Sequence, residues 1–226
     1  MKLLLHCCCA PCSVSCIRSL RAEQIEPHLF WYNPNIHPYT EYKSRKDCLN
    51  EFAKSEKLAL TVVDEYGLRE FLNEVYSKTD GTAQKLRINH EPHKLVPSVL
   101  TRTKTRYVQK VRSVRVVRGK KFFLDISHPQ RCKKCYRMRL EKTAFFAKQE
   151  GFSAFSTTLL ISPYQNHDEI KRAGEETAEK YGVEFLYRDF RPLFREGQTN
   201  ARAANMYMQK YCGCVFSEEE RYLSSH

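Results

Sequence analysis

The chain has 226 residues, with 42% hydrophobic and 28% charged residues, the composition of an ordinary globular protein. That length suits one sizeable α/β domain, or one domain with an insertion. No run approaches the roughly 18 apolar residues of a membrane span, and the apolar N-terminal stretch is too short for a secretory signal. We therefore expect no membrane association and a cytoplasmic location.

The first eighty residues alternate between predicted strands and predicted helices. Apolar runs predict strands at residues 2–6, 25–32 and 58–63. Helical spacing predicts helices at residues 13–23, 39–55 and 68–76, the second of them rich in exposed charge. Such alternation is typical of a parallel, doubly wound sheet.

A basic segment interrupts this alternation at residues 81–121. β-Prone stretches at 113–117 and 121–126 flank Arg118-Gly119-Lys120, which would allow a hairpin. Beyond it we predict helices at 132–150, 167–181 and 200–209, with strands at 152–160 and 183–187; Gly151 and Gly182 would cap the first two helices. We expect a single α/β domain over 1–226, with a Rossmann-like (HUP-type) doubly wound parallel sheet of about five strands, a basic insertion and C-terminal helices.

The net charge of +12 is concentrated in that same segment. Residues 81–121 hold twelve Lys and Arg against one acid, Glu91. A block of one sign favours binding of a polyanion, with nucleic acid the first candidate. The alternative is a solvated or partly disordered loop that only keeps the protein soluble.

Eight of the ten cysteines are clustered in three segments: Cys7, Cys8, Cys9 and Cys12; Cys132 and Cys135; Cys212 and Cys214. A reducing compartment disfavours structural disulfides, so clustered cysteines indicate metal binding or catalysis. Cys16 and Cys48 stand alone within helical patterns and fit buried small hydrophobes instead.

The predicted topology brings several of these groups together. Ligands of open parallel sheets bind at the carboxyl ends of the strands, where the strand order reverses. Cys8 and Cys9 follow the first strand, and Cys12 falls in the first turn of the next helix, which we expect to lower its pKa. Ser162, Tyr164 and Asp189 follow the fourth and fifth strands and should face the same edge.

The cysteine spacing favours a metal site but leaves the metal open. A structural zinc takes four ligands, and a [4Fe–4S] cluster takes four thiolates; a compact loop plus a remote cysteine, as in Cys8, Cys9 and Cys12 with Cys132 or Cys135, suits the cluster. The remaining thiols would bind a second metal or form a redox-active pair. The chain has neither a Walker loop nor a Gly-x-Gly-x-x-Gly motif, so nucleotide-dependent chemistry has no visible phosphate cradle.

Six motifs then identify a family resemblance. They are LLHCCCAPC (4–12), YNPNI (32–36), RCKKCYRMRL (131–140), TTLLISPY (157–164), RDF (188–190) and YCGC (211–214). In order and spacing they resemble the QueH family of cobalamin-independent epoxyqueuosine reductases over nearly the whole chain. The basic segment is unlike a typical member, in which this connection is shorter.

The resemblance implies reduction of epoxyqueuosine to queuosine at the wobble position of the tRNA anticodon, with an electron donor that the sequence does not identify. It also implies a [4Fe–4S] cluster and an adjacent mononuclear iron, which would act on the epoxide oxygen as a Lewis acid. The matching cysteines are Cys8, Cys9, Cys12, Cys132, Cys135, Cys212 and Cys214; Cys7 occupies a variable position. Asp189 is the candidate carboxylate ligand, with an N-cap or salt bridge as the alternative, and Asp64 is a weaker candidate.

Other residues are candidates for contacts with the substrate. Tyr164 would donate a proton or serve in packing, and Asn33 and Asn35 would shape a turn or contact the substrate. Candidate phosphate ligands are Arg137 and Arg139 and, in the basic segment, Lys104, Arg106, Arg112 and Arg115. The rival hypothesis is a zinc-binding, tRNA-binding module without redox activity; an ATP-dependent tRNA-thiolating enzyme is a third.

Overall fold

The computed structural model describes residues 1–77 and 128–223. Its sheet has five parallel strands in the order β3-β2-β1-β4-β5. They are β1 (Leu3–His6), β2 (Pro27–Trp31), β3 (Leu60–Val62), β4 (Ala154–Thr157) and β5 (Glu184–Phe185). The chain winds outward from β1 to β3 and then returns to the other side of β1, so the strand order reverses between β1 and β4. The predicted doubly wound α/β fold is confirmed.

Seven α-helices accompany these strands in the described part of the chain. They are α1 (Ala10–Ala22), α2 (Tyr39–Ser55), α3 (Leu68–Tyr76), α4 (His128–Gln149), α5 (His167–Tyr181), α6 (Phe194–Ala203) and α7 (Val215–Leu223). Short 3-10 turns follow β4 at Thr158–Ile161 and precede α6 at Arg191–Leu193. None of the described helices is long and apolar enough to cross a bilayer.

The core lies around the central strand. Leu3, Leu4 and Leu5 of β1 are all buried, because helices cover both faces of the sheet. On one side, Phe30 of β2 stacks on Phe146 of α4 with ring centroids 4.9 Å apart. Burial of each such side chain contributes about 1.5–3 kcal/mol to the stability of the fold. The sheet therefore gives the loops at its carboxyl edge a rigid base.

Most predicted elements agree with the observed ones, and two do not. The helices predicted at 39–55, 68–76 and 167–181 have the observed bounds, and Gly182 caps α5 with φ +67°. The predicted helix at 200–209 is wrong, because α6 ends at Ala203 and Asn205 adopts a left-handed φ of 53°. The strand predicted at 152–160 is too long, because Thr157 accepts a hydrogen bond from Leu159 N and begins a 3-10 turn.

The remaining predictions on chain organisation concern residues that the structure does not describe. The possible hairpin at 113–117 and 121–126, and all of the basic segment at 81–121, lie outside the described ranges. The single-domain organisation with a basic insertion therefore stays a prediction.

Candidate metal and active site

The first three site cysteines lie where β1 passes into α1. Cys9 is the N-cap of α1, and its Sγ accepts a hydrogen bond from the backbone N of Cys12 at 3.3 Å. Pro11 occupies the first turn, where its fixed φ suits a helix start and its missing N–H costs no hydrogen bond. The strand end and the helix cap together fix the Cys8-Cys9-x-x-Cys12 loop at the reversal of strand order.

The sulfur atoms of this loop are close enough to share one ion. The Sγ atoms of Cys8, Cys9 and Cys12 all lie within 4.8 Å of one another, and those of Cys8 and Cys9 are 3.8 Å apart. A metal–sulfur bond of about 2.3 Å in tetrahedral geometry places neighbouring ligands roughly 3.8 Å apart. The spacing and the soft, buried donors therefore fit a single bound metal ion.

A second set of thiols comes from two distant segments. Cys132 and Cys135 lie in the first two turns of α4, and Cys212 and Cys214 lie in the loop before α7. Cys135 and Cys214 belong to one small apolar cluster with Phe71 and Val75 of α3. This packing brings the Cys-x-x-Cys and Cys-Gly-Cys motifs to the same place.

Gly213 allows the tight Cys-Gly-Cys turn. Its φ is +109°, and a Cβ there would lie 3.0 Å from Ile36 Cγ1 and 3.1 Å from Arg45 Nη1. The carbonyl of Gly213 also accepts a hydrogen bond from His37 N at 2.7 Å. The loop is thus anchored to the segment between β2 and α2, and a side chain at this position would disturb it.

Six of the seven predicted cysteine ligands line one cavity of about 1050 Å³. The six are Cys8, Cys12, Cys132, Cys135, Cys212 and Cys214. Cys9 is buried directly behind, with its Sγ beside those of Cys8 and Cys12. Such a volume is at the upper end of ordinary small-molecule sites and is ample for a nucleoside.

The other three cysteines are not among the residues that line the cavity. Cys7 is fully buried and its Sγ donates a hydrogen bond to Leu5 O at 3.3 Å. Cys16 is fully buried in the core, and Cys48 is half-buried and packs against it. No cysteine is in a disulfide.

In each of the two sets of thiols one sulfur has a lowered pKa, Cys8 in the first and Cys212 in the second, and the other sulfurs have raised pKa values. Hydrogen bonds from the Cys12 and Cys9 thiols hold the pKa of Cys8 well below its usual value. The hydrogen bond between Cys8 and Cys12, together with burial, raises the pKa of Cys12. The predicted lowering of the Cys12 pKa by the helix N-terminus is therefore wrong, because its neighbours outweigh the helix. Likewise, a bond from Cys214 lowers the pKa of Cys212 to about 5 and raises that of Cys214.

Two buried arginines face these sulfurs. Arg45 is 1% exposed; it forms an ion pair with Glu41 and donates to the carbonyls of Tyr211 and Cys212. Arg139 is 3% exposed and donates to Cys135 O at 3.3 Å. Both line the cavity, so they offset the negative charge of thiolates. α2 carries exposed charge, as predicted, for example Lys43 and Asp47, but Arg45 and Glu41 are buried.

Polar contacts to the sulfurs also come from residues that the sequence did not single out. Gln209 Nε2 donates to Cys12 Sγ at 3.2 Å, and Gln209 Oε1 is buried without a partner among the described residues. Thr158 Oγ1 lies 3.5 Å from Cys8 Sγ and also accepts a hydrogen bond from Cys8 N at 3.2 Å. Thr158 lies within a recognised motif, which was a usable signal, whereas nothing in the sequence marked Gln209 or Arg45.

Tyr164 and the asparagines lie near the cavity. Tyr164 lies at the cavity mouth, 81% exposed, edge-on to Phe194. Asn33 Nδ2 donates to Cys7 O at 2.9 Å and its backbone carbonyl accepts from Ile36 N, so it shapes the turn after β2. Asn35 lines the cavity, and its buried Oδ1 has no partner in the described chain.

Asp189 and Arg137 are not among the residues that line the cavity. The Asp189 carboxylate forms an ion pair with Arg191 at 2.6 Å, and this neighbour lowers its pKa to about 2. Arg137 forms an ion pair with Glu141 one turn along α4. Asp64 accepts hydrogen bonds from Lys46 and Tyr42. Four further predicted phosphate ligands lie outside the described residues: Lys104, Arg106, Arg112 and Arg115.

Comparison with known proteins agrees with this arrangement of motifs. The family model described as epoxyqueuosine reductase QueH matches residues 3–90 and 99–220. Three similar curated proteins are each named epoxyqueuosine reductase QueH. The one from Dehalococcoides mccartyi is 28% identical over 98% of this chain and 94% of its own length. Those from Thermotoga maritima and Haemophilus influenzae are 32% and 30% identical, over 97% and 96% of this chain and 91% and 71% of their own lengths, respectively. With the family model matching most of its length, the chain belongs to the QueH family.

Proposed function

We propose that this protein is an oxidoreductase that reduces the epoxide of epoxyqueuosine to queuosine in the tRNA anticodon. The observation that carries the proposal is the convergence of six motif cysteines from three distant segments on one cavity. Two electrons and two protons convert an epoxide into an alkene and water, so the reaction needs a reductant. The electron donor is a separate partner, and the ten unpaired cysteines fit a reducing cytoplasm.

In this proposal the two sets of cysteines bind different cofactors. The close trio of Cys8, Cys9 and Cys12 suits the mononuclear iron, since its sulfur spacing matches ligands of one ion. The other four thiols, from α4 and the Cys-Gly-Cys loop, match in number the four thiolates that a [4Fe–4S] cluster takes. This reverses the simplest division by sequence, in which the compact first loop serves the cluster.

When bound, these groups would supply electrons and a Lewis acid for the epoxide oxygen. The surrounding protein provides charge and orientation. Arg45 and Arg139 stabilise the thiolates from the buried side, while Gln209 holds the Cys12 sulfur in place. Tyr164, at the open side, is the proposed proton donor through its Oη, because its exposure gives it access to protons from water.

Two of the predicted contacts would each require an observed ion pair to break first. Asp189 would have to leave Arg191 before its carboxylate could bind iron. Arg137 would likewise exchange Glu141 for an anticodon phosphate. Arg139, being buried beside Cys135, is better suited to thiolates than to RNA phosphates.

Metal analysis after anaerobic purification tests the cofactor part of the proposal. We expect about five irons and about four sulfides per chain, with an EPR signal on reduction. Cys8→Ser should lose iron, whereas the neighbouring Cys7→Ser should keep it, because the Cys7 thiol donates to the backbone of β1 and does not line the cavity. A colourless protein with stoichiometric zinc and no reducible signal would instead support the zinc-binding, tRNA-binding module without redox activity.

A further inference from the structure

Helix α6 has two chemically different faces. Gly197 and Ala201, four residues apart, are buried, and a Cβ on Gly197 would lie 3.0 Å from Ser15 Oγ of α1. Apart from Phe194 at the start of the helix, the face turned to the cavity is polar and repeats at helical spacing. It consists of Arg195, Gln198, Thr199 and Arg202. Packing on α1 therefore fixes a cationic stripe at the mouth of the thiol cavity.

The two arginines of this stripe have no acidic partner in the part of the chain that the structure describes. Both side chains are exposed, and neither guanidinium lies within 4.0 Å of a carboxylate in residues 1–77 and 128–223. Even the one acid of α6, Glu196, forms an ion pair elsewhere, with Arg18. Other arginines nearby are paired with carboxylates, among them Arg188 with Glu23 and Arg191 with Asp189.

The rest of the cavity mouth has the same sign of charge. Lys210 and Arg221 are exposed on the same lining. Among the described residues that line the cavity, the single acid is Glu220, and it forms an ion pair with Arg131. Unpaired cations around a cavity focus a positive potential and attract polyanions to its mouth.

We propose that the α6 stripe binds the sugar–phosphate backbone of the anticodon loop and so directs the modified base into the thiol cavity. Arg195 and Arg202 are about 10 Å apart along the helix axis, a separation that suits phosphates of different nucleotides. Gln198 and Thr199 between them offer hydrogen bonds to phosphate or 2′-hydroxyl oxygens. The inference rests on the proposed function for its choice of RNA.

A binding measurement tests this face without depending on turnover. The anaerobically purified full-length protein is titrated with a fluorescent anticodon stem-loop RNA at several salt concentrations. Each lost phosphate contact to a single strand lowers the salt slope by about 0.7, so Arg195→Gln with Arg202→Gln should lower it by about 1.4 and weaken binding roughly 25-fold at about 0.1 M salt.

The matched control removes two equally charged arginines away from the cavity. Arg172→Gln with Arg188→Gln makes the same change in net charge, and both side chains are partly exposed and held in surface ion pairs. We expect its affinity and salt slope to equal those of the unchanged protein. Equal losses in the two double variants would overturn the inference, since the effect would then be one of net charge.

Two further outcomes separate this inference from the proposed function. If the unchanged protein binds the stem-loop and the stripe variant alone loses binding, yet no epoxide is reduced, the inference holds and the proposed function fails. If the stripe variant binds RNA normally but loses turnover with an acidic electron-donor protein, the stripe is a donor site and the inference is wrong.

Discussion

Replacing Gly213 with alanine would show whether the Cys-Gly-Cys turn positions the metal-binding thiols. Its φ of +109° is unfavourable for any residue with a side chain, at a cost of about 1–3 kcal/mol. The new Cβ would also lie 3.0 Å from Ile36 Cγ1 and 3.1 Å from Arg45 Nη1. Both neighbours are buried, so we expect roughly 2–4 kcal/mol of lost stability together with displacement of Cys212 and Cys214.

Gly151 provides the matched control for this substitution. Its φ of +66° is also left-handed, but a Cβ there would have no atom within 4 Å. Gly151→Ala should therefore cost only about 1–2 kcal/mol and retain all of the iron. Urea unfolding would give the two stabilities, and iron counting after anaerobic purification would give the occupancy. Full iron content and equal stability in the two variants would refute the proposed role of the turn.

Three other substitutions test separate parts of the site. Arg45→Met should lower the free energy of unfolding by about 3 kcal/mol, because it leaves Glu41 buried without its cation. Lys43→Met, which removes the exposed Lys43–Asp47 pair of the same helix, should cost less than about 1 kcal/mol. Urea unfolding measures both. Burial lowers the pKa of His37 to about 4, so the folded state resists its protonation. The free energy of unfolding should therefore fall by up to about 3 kcal/mol between pH 6.5 and pH 4, and His37→Phe should reduce that fall. If the variant and the unchanged protein lost equal stability over this pH range, the prediction would be contradicted. Gln209→Leu should make Cys12 less reactive toward iodoacetamide after metal removal, because loss of the Gln209 hydrogen bond raises the pKa of the Cys12 thiol, and unchanged alkylation rates would exclude a contact in solution.

The strand and helix pattern made much of the fold predictable. Runs such as Leu3–His6 are apolar throughout because a central parallel strand is buried on both faces, and this pattern is readable from sequence. The end of the chain was harder to predict. α6 is set by the packing of Gly197 and Ala201 on α1, a tertiary contact that leaves little trace in local periodicity.

The same distinction holds for the site. Cysteine spacing and the topology of a parallel sheet together predicted that distant segments would converge. They did not predict Arg45, because a charged residue in an amphipathic helix is normally expected on the exposed face, and its burial depends on Glu41 and on two carbonyls over 160 residues away. For Asp189 the sequence left both iron ligation and a salt bridge open, and its pairing with Arg191 is a local rotamer choice.

Conversion of the substrate tests the central claim most directly. The anaerobically purified protein, supplied with a chemical reductant, is incubated with tRNA that carries epoxyqueuosine, and the digested nucleosides are analysed by mass spectrometry. The account predicts loss of one oxygen atom to give queuosine with the unchanged protein and with Cys7→Ser, and no conversion with Cys8→Ser. Iron-loaded protein that binds this tRNA, accepts electrons and still leaves the epoxide intact would contradict it.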